Sequence, residues 1–276
     1  MINPTEIIPG VLFYSYLSTM RKEKVGFFEH TTVVLQVSGL FTMETADYKM
    51  SMRSGEMMLI RKNQLVELTK MPLEEKDYQT IVIVLKEDLL RQIALEQQVE
   101  MGQRYTGAPN LLIPENDFLR GFFQSVIPYV HHPDEKITNT MGLLKVREVV
   151  QLLLYSMPEL REFFFDFSEP HKIDLEKFMV NNFHFNVPVE KFAQLTGRSL
   201  AAFKRDFQKI FALSPRQWLQ EKRLTEARHL LEKNKKSSSI YLDLGFESLS
   251  HFSNAFKKKF GKAPTEWSVD SVAVRL

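Results

Sequence analysis

The stretch Ser199-Leu-Ala-Ala-Phe-Lys-Arg-Asp-Phe-Gln-Lys-Ile-Phe211 carries phenylalanine at every fourth position, with basic and polar residues between the rings. Four residues advance about 400° along a helix of 3.6 residues per turn, so the three rings share one face. The stretch contains no Gly or Pro that would break a helix. It therefore predicts an amphipathic helix with a buried aromatic face and an exposed basic face.

This stretch is one half of an internal repeat with an offset of 49 residues. The repeated positions are Phe203, Phe207, Phe211, Pro215 and Trp218, which return as Phe252, Phe256, Phe260, Pro264 and Trp267. Ser199 and its equivalent Ser248 precede the two aromatic runs, where a serine side chain caps the first turn of a helix. Gly261 follows the second run as a stop signal, whereas the first run has Ala212 there. Such a repeat indicates one supersecondary unit that is used twice.

A short apolar segment and a turn precede each aromatic helix. Residues 189–195 are followed by Gly197, and residues 240–244 are followed by Gly245. A helix, a tight turn and a second helix form the DNA-reading arrangement in which the second helix enters the major groove. We call residues 189–211 the first head and residues 240–260 the second head.

The segment between the heads predicts one connecting helix. Residues 214–232 begin with a serine cap and continue with apolar residues at helical spacing. A helix of about 17 residues is about 26 Å long. That length suits two recognition helices roughly one DNA turn, about 34 Å, apart.

Charge divides the chain near the same place. Residues 170–276 contain 19 Lys and Arg against 11 Asp and Glu, a formal charge of +8, whereas residues 1–169 have a formal charge of −6. The overall value of +2 hides this asymmetry. A basic region is expected of a protein that neutralises phosphates. A solvated basic surface is the alternative, and the repeated helix-turn-helix pattern favours DNA.

Residues 170–268 resemble the DNA-binding domain of the AraC/XylS family of bacterial transcription regulators. The matching segments are Trp218-Leu, Arg223-Leu-x-x-Ala227-x-x-Leu-Leu, Ile240-Tyr-Leu-Asp-Leu-Gly-Phe and Ser250-His-Phe-Ser-x-x-Phe-Lys-Lys-x-Phe-Gly-x-x-Pro264-Thr. Residues 195–207 are most similar to the ExsA-like branch of that family. The sequence departs from the family pattern at Tyr241, where alanine is usual, at Ala212, where glycine is usual, and at Ser268, where arginine is common.

The resemblance implies which side chains contact DNA. Base-reading residues are expected to be Ala201, Lys204 and Arg205 in the first head and Ser250, His251 and Asn254 in the second. Arg205 suits bidentate bonding to guanine, and Asn254 suits adenine. Phosphate contacts, which position without specifying sequence, are expected from Ser199, Ser248, Lys257 and Lys258. The alternative for each base-reading position is an exposed polar residue without a base contact.

Residues 1–115 differ in kind from the heads. Short apolar runs at 31–38, 39–44, 48–52, 55–60 and 78–85 alternate with Gly and polar turns, which predicts an antiparallel sandwich or barrel. The resemblance implies a cupin-like barrel. We therefore expect an α+β chain with an N-terminal cupin-like antiparallel β-barrel, a helical linker or dimerisation segment, and a C-terminal all-α domain with two helix-turn-helix motifs joined by a long helix.

An enzymatic barrel is disfavoured by the motifs that are missing from the sequence. Metal-binding cupins use a His-x-His pair, and this chain has none. It has no cysteine, which excludes thiolate ligands, a catalytic cysteine and disulfides. It has no Gly-x-Ser-x-Gly and no phosphate-cradling glycine loop. We expect no catalytic residue, metal site or cofactor.

The segment 116–169 is predicted to be helical. Its apolar stripe consists of Leu143, Val146, Val149, Val150, Leu153 and Met157. The family uses an equivalent helix for dimerisation, so the first five residues of the stripe are expected to form an intersubunit contact. Packing against the chain's own barrel is the alternative, since two heptads alone are a weak signal.

The sequence therefore predicts three regions: 1–115, a cupin-like regulatory domain; 116–169, the helical linker; and 170–276, the DNA-binding domain. The expected function is a cytoplasmic, homodimeric transcription regulator, by resemblance an activator, with promoter DNA and RNA polymerase as partners. The regulatory domain is expected to sense a small molecule or a protein. No signal peptide or membrane span is predicted. The alternatives are an architectural DNA-binding protein of low specificity, or a cupin enzyme with an accessory DNA domain.

Overall fold

The computed structural model describes residues 5–45, 48–73, 75–99, 104–131, 139–168 and 171–267. The chain forms two compact units, residues 1–168 and residues 169–276, and each is described on its own. Within the described ranges, no helix is both long and apolar enough to cross a membrane.

The described strands of the N-terminal unit are β1 Thr5–Ile8, β2 Leu12–Leu17, β3 Arg21–Phe28, β4 Thr31–Ser38, β5 Leu40–Glu44, β6 Lys49–Met52, β7 Met57–Ile60, β8 Gln64–Met71, β9 Tyr78–Leu85 and β10 Asn110–Ile113. They pair antiparallel in two sheets, with the orders β1-β2-β9-β4-β7-β10 and β3-β8-β5-β6. The expected antiparallel α+β architecture is confirmed. Among the described strands, however, the two sheets are open and do not close into the one barrel that the resemblance implied.

Strand β4 is central to both hydrophobic cores of this unit. Successive side chains of a strand point to opposite faces. Val33 and Leu35 therefore join a core with the helices, whereas Val34 joins the core between the two sheets. The second core also holds Met43 and Met52, which are fully buried. Burial on both faces explains why Val33, Val34 and Leu35 follow one another without alternating with polar residues.

Four helices cover the outer face of the six-stranded sheet: α1 Glu87–Glu96, α2 Asp117–His131, α3 Asn139–Ser156 and α4 Leu160–Phe165. Their buried faces include Leu90, Phe122, Val149 and Phe163. This packing gives the N-terminal unit a layer of helices over two layers of sheet.

The prediction that the apolar stripe of α3 forms a dimer contact is wrong for four of its five residues. Val146, Val149, Val150 and Leu153 are at most 1% exposed and belong to the core that α3 shares with the six-stranded sheet. Only Leu143 is exposed. The stripe is therefore occupied by the chain's own core, because helical periodicity identifies a buried face without identifying its partner.

The described helices of the C-terminal unit are α5 Leu175–Asn182, α6 Val189–Leu195, α7 Leu200–Phe211, α8 Pro215–Glu232, α9 Ser237–Ile240 and α10 Leu249–Phe260. Helix α8 is the predicted connecting helix. Ser214 caps it in a capping box with Gln217, and Pro215 occupies its first turn, where proline is favourable. Its 18 residues span about 27 Å.

Candidate DNA interface

The two recognition helices, α7 and α10, begin in the same way. Ser199 Oγ accepts a hydrogen bond from the backbone N–H of Ala202 at 3.3 Å, and Ser248 Oγ accepts one from His251 at 3.1 Å. Both predicted caps are thus confirmed. Each serine hydroxyl still has a hydrogen that can be donated.

The two helices also end in the same way. Gly261 stops α10 at a φ of +81°, and Ala212 stops α7 at a φ of +55°. The left-handed region is unfavourable for a residue with a Cβ. The first head therefore carries local backbone strain at Ala212 that the second head avoids with glycine.

The aromatic repeat is reproduced in the packing geometry. Trp218 meets Phe207 edge-on at a centroid distance of 5.6 Å and an interplanar angle of 79°. The equivalent pair, Trp267 and Phe256, lies at 5.8 Å and 83°. Phe203, Phe207, Phe252 and Phe256 are all fully buried. The aromatic faces are therefore interior in both heads, and the opposite faces of α7 and α10 are left for a partner.

All six side chains predicted to read bases are exposed: Ala201, Lys204, Arg205, Ser250, His251 and Asn254. They lie in the first two turns of α7 and α10, on the faces that do not carry the phenylalanines. The ring of His251 packs edge-on against Phe246 at 5.8 Å, so it contacts the turn of the second head. Ser199, Ser248, Lys257 and Lys258 are exposed as well. Their contacts with DNA remain predictions.

The turn of each head ends its first helix with the same hydrogen-bond pattern. In the first head Gly197 N donates to Gln194 O and Arg198 N donates to Ala193 O, both at 3.0 Å. In the second head Gly245 N donates to Leu242 O at 2.9 Å and Phe246 N donates to Tyr241 O at 3.0 Å. This is the Schellman pattern, with the glycine in the left-handed conformation. The two glycines have φ values of +64° and +81°.

The second head differs from the sequence prediction in its first helix. The prediction placed the helix at residues 240–244, but α9 is Ser237–Ile240 and residues 241–245 form hydrogen-bonded turns. The backbone bond from Leu244 N to Ile240 O persists at 3.0 Å, so one helical turn continues past α9. The glycine that ends the turn lies 48 residues after its counterpart rather than 49, which gives the second head a turn that is one residue longer.

Some of the charged side chains beside the recognition helices form local ion pairs, and others are exposed. In α10, Lys259 forms an ion pair with Glu221 of α8, whereas Lys257 and Lys258 are exposed. In the first head, Arg198 Nε lies 3.2 Å from Asp206 Oδ2, while the side chain of Arg205 is 67% exposed. The cations predicted to face DNA, Lys204, Arg205, Lys257 and Lys258, are therefore among the exposed cations of the two recognition helices.

The sequence prediction missed Arg223, which lies in the middle of α8. Its guanidinium donates to three backbone carbonyls: Nε to Phe183 at 2.8 Å, Nη2 to Phe185 at 2.8 Å and Nη1 to Gly245 at 2.9 Å. Burial lowers the pKa of Arg223 to about 10, so the group is still charged at neutral pH. The sequence marked this residue only as part of the family resemblance, because its partners lie 22 to 40 positions away.

A buried ionic cluster lies near the last described residues of the N-terminal unit. Asp166 pairs with Arg61 and accepts hydrogen bonds from Tyr105 N at 3.1 Å and Ser168 N at 2.9 Å. Burial alone would raise the pKa of Asp166, but the bonds from Ser168 and Tyr105 and the charge of Arg61 outweigh it and lower that pKa. In the described ranges, no group of three or more His, Cys, Asp or Glu is arranged to hold a metal ion.

Two family models match the chain. A helix-turn-helix domain matches residues 192–269, and the ExsA N-terminal regulatory domain matches residues 31–163. The first match contains both recognition helices, and the second contains most of the sheets together with α1 to α3. The two matches lie on opposite sides of the change in charge near residue 170.

Among curated proteins, the virulence regulon transcriptional activator VirF of Yersinia enterocolitica is 34% identical over 100 residues, which are 36% of this chain and 37% of VirF. The chain therefore matches little more than a third of that relative's length. The HTH-type transcriptional regulator ExsA of Pseudomonas aeruginosa is 25% identical over 242 residues, or 84% of both chains.

Among solved structures, ToxT from Vibrio cholerae is 15% identical, covers 94% of this chain and 98% of its own, and has a TM-score of 0.44. With two family models and relatives in the same family, the chain belongs to the AraC/XylS family of transcription regulators, with a helix-turn-helix DNA-binding domain and an ExsA-type N-terminal regulatory domain.

Proposed function

We propose that the chain is a sequence-specific transcription activator whose two heads read adjacent major-groove segments of one promoter. The observation that carries the proposal is the matched construction of α7 and α10. Each helix is capped by a serine, buries a phenylalanine face and exposes three candidate base-reading residues at the start of the opposite face. Such a face at the N-terminal part of a recognition helix is where base contacts are made.

The charge pattern supports DNA as the partner. Residues 170–276 carry a formal charge of +8, and the exposed cations of the two heads include Arg205, Lys257 and Lys258. Arg205 supplies a planar donor pair that matches guanine, and Asn254 supplies a donor and an acceptor that match adenine. Lys257 and Lys258 follow the second base-reading face and bind phosphate, which sets register and affinity.

The connecting helix supports the reading of two grooves by one protein. Helix α8 spans about 27 Å, and successive major-groove segments on one side of DNA are about 34 Å apart. Both heads belong to the same compact unit, which α8 crosses. A two-part operator with half-sites about one helical turn apart follows from this arrangement.

The test is the selection of binding sites from random duplexes by the full chain, followed by footprinting on the best sequence. We expect two protected blocks about 10 base pairs apart. Arg205→Ala should lose the preference in one block and Asn254→Ala the preference in the other, which assigns each head. Binding without a preferred sequence would instead identify an architectural DNA-binding protein and would contradict the proposal.

The regulatory part of the proposal concerns the N-terminal unit. We propose that an effector, a small molecule or a protein, binds this unit and changes promoter occupancy, and that the DNA-bound chain contacts RNA polymerase in the cytoplasm. VirF is named a transcriptional activator, which supports activation as the sign. Transcription from the selected operator, measured with purified polymerase and with or without the chain, tests the sign directly.

We further propose that the chain dimerises through the exposed face of α2 and α3. The most exposed apolar residues of these two helices are Phe118, Leu144 and Tyr155, which are 58%, 55% and 72% exposed. Phe118 and Tyr155 meet edge-on at 5.6 Å and join the two helices into one surface. Large exposed apolar side chains that cluster indicate an interaction surface. This face replaces the buried stripe of α3 as the candidate dimer contact.

A further inference from the structure

A junction beside the middle of α8 brings segments of the two heads into contact. An open cleft of about 480 Å³ lies between residues 186–190, where the chain enters the first head, and residues 245–247 in the turn of the second head. Helix α8 contributes Arg216, Leu219, Gln220 and Arg223 to its lining.

Residues 183–185, which lie between α5 and α6, bridge the two heads beside this cleft. Although this segment leads into the first head, the ring of Phe183 packs against the core of the second head. The carbonyl oxygen of His184 would lie 2.5 Å from a Cβ at Gly245, so the backbones of the two segments are in direct contact there. Only glycine allows such an approach.

Arg223, on α8, donates hydrogen bonds to both segments that meet at this junction. Nε and Nη2 hold the carbonyls of Phe183 and Phe185, and Nη1 holds the carbonyl of Gly245. One planar group thus joins the connecting helix, the entry to the first head and the turn of the second head. A guanidinium holds its donors in a rigid fork, so the three acceptors cannot move independently while the bonds persist.

We propose that Arg223 is a positioning residue that fixes the orientation of the second recognition helix relative to the first, and so sets the half-site spacing that the protein accepts. The spacing part rests on the proposed two-headed reading of one operator. The orientation part concerns the free protein alone. Lysine cannot replace Arg223 in this role, because three different nitrogens make the three bonds and an ammonium is a single point.

The orientation part is tested without DNA by measuring the distance between the recognition helices with double electron–electron resonance. Because the chain has no cysteine, Gln208→Cys and Lys258→Cys provide one specific pair of spin labels, both at exposed positions on α7 and α10. We expect one narrow distance distribution in the otherwise wild-type chain. In Arg223→Lys the distribution should broaden or shift by several ångströms, and it should stay unchanged in the control Arg228→Lys.

Arg228 is a matched control because it lies on the same helix, pairs with Glu232 within that helix, and meets α10 only through the ring of Phe260, over which lysine keeps the positive charge. Circular dichroism establishes that each variant is folded, and Arg223→Gln, which keeps an amide donor, takes the place of lysine if Arg223→Lys does not fold. A broad distribution in the wild type overturns the proposal. So does a distribution in the folded Arg223 variant that matches the wild type.

The spacing part is tested with the selected operator and with versions in which its two blocks are one base pair closer or farther apart. We expect the wild type to lose about tenfold or more in affinity on the altered spacings, and Arg223→Lys to lose about threefold or less, with Arg228→Lys like the wild type. Equal losses in all three proteins contradict a role in spacing. If no preferred operator exists, the proposed function fails, and the distance measurement still decides the role of Arg223.

Discussion

Arg198 Nε lies 3.2 Å from Asp206 Oδ2, and this ion pair ties the turn of the first head to its own recognition helix. Arg198 also donates through Nη1 to the carbonyls of Ile173 at 3.0 Å and Thr196 at 2.7 Å. Asp206 is the only acidic residue of α7 and directly follows Arg205. Without a cationic partner, its carboxylate would repel phosphate and compete for Arg205. In the proposed complex, the pair would therefore keep the basic face of α7 available to DNA.

Arg198→Ala should weaken binding to all DNA sequences by about 0.5–1 kcal/mol, because an uncompensated Asp206 opposes phosphate and attracts Arg205. Arg205 Nε already lies 3.9 Å from Asp206 Oδ1. The measurement is a binding titration on the selected operator and on a scrambled duplex. Addition of Asp206→Asn to the Arg198→Ala chain should restore most of the loss. If the double variant binds no better than Arg198→Ala, the effect of Arg198 comes from the stability of the turn instead.

Arg205 and Lys257 should differ in the kind of affinity that they contribute. Arg205→Ala should cost about 1–3 kcal/mol at one base pair and relax the preference there, because a bidentate contact with guanine is lost. Lys257→Ala should weaken all sequences alike and reduce the salt dependence of binding by about one counterion. Affinities for all single-base variants of the operator at several salt concentrations check both. An unchanged base profile in Arg205→Ala would remove this residue from the base-reading set.

The repeat made much of the C-terminal unit predictable, because caps, aromatic spacing and turn glycines are local signals. Ser199, Ser214, Ser248 and Gly261 all act at the helix ends where the sequence placed them. The role of Arg223 was not predictable, because its three acceptors come from residues distant in sequence. The partner of the α3 stripe was not predictable either, since a buried face looks the same whether Val150 packs on its own sheet or on a second subunit.

Whether the two sheets close into a barrel could not be predicted from the sequence either. Alternating apolar residues identify strands and their buried faces, but the pairing of edge strands is decided by contacts distant along the chain. The described strands consequently form two facing open sheets where the resemblance implied a barrel. In the second head, the three serines of α9 start the helix earlier than the apolar pattern alone indicated.

Substitutions at the helix-ending residues should separate backbone strain from steric contact. Ala212→Gly should stabilise the chain by about 0.5–1 kcal/mol, since Ala212 has a φ of +55° that glycine adopts without strain. Gly261→Ala should cost a similar amount, because a Cβ there meets nothing within 4 Å and only the positive φ is unfavourable. Gly197→Ala should cost more than Gly261→Ala, since its Cβ would lie 2.3 Å from the backbone carbon of His171.

Urea unfolding followed by tryptophan fluorescence measures these three changes, since Trp218 and Trp267 are the only tryptophans and both pack in the heads. The order of stability should be Ala212→Gly, wild type, Gly261→Ala and Gly197→Ala. If Gly197→Ala costs no more than Gly261→Ala, the close approach of the first turn to His171 does not hold in solution.

Asp166 should make the N-terminal unit sensitive to acid. Its pKa is lowered from 3.8 in the folded chain, so it stabilises the fold fully above that value and the contribution is lost as the pH falls through the folded pKa. At neutral pH, Asp166→Asn should reduce the free energy of unfolding by about 1–3 kcal/mol, because charge-assisted hydrogen bonds are lost. The difference between the two chains should shrink as the pH falls below about 3.8.

Unfolding of this unit by urea at several pH values, followed by far-ultraviolet circular dichroism, measures that difference. Asp117→Asn is a matched control, because its carboxylate is exposed and pairs with Arg120 at the surface. The control should behave like the wild type at every pH. A constant difference between wild type and Asp166→Asn down to the lowest pH would show that Asp166 is not titrating as an ion-paired carboxylate.

The exposed face of α2 and α3 should control self-association. Leu144→Glu and Tyr155→Asp place charge on residues that are 55% and 72% exposed, so they should disrupt an apolar dimer contact without disturbing the monomer. Val150→Asp places charge in the core instead and should unfold the N-terminal unit. Sedimentation equilibrium measures the association, and circular dichroism measures the fold.

The expected result is a shift of the two surface variants from dimer to monomer with an unchanged melting temperature, and a loss of fold in Val150→Asp. Leu95→Glu is the surface control, because Leu95 is 65% exposed but lies on α1, outside the proposed face. It should remain dimeric. A wild type that is monomeric at high concentration, or surface variants that dimerise as the wild type does, would place the dimer contact elsewhere or remove it, because charge at the centre of an apolar interface costs far more than charge on a free surface.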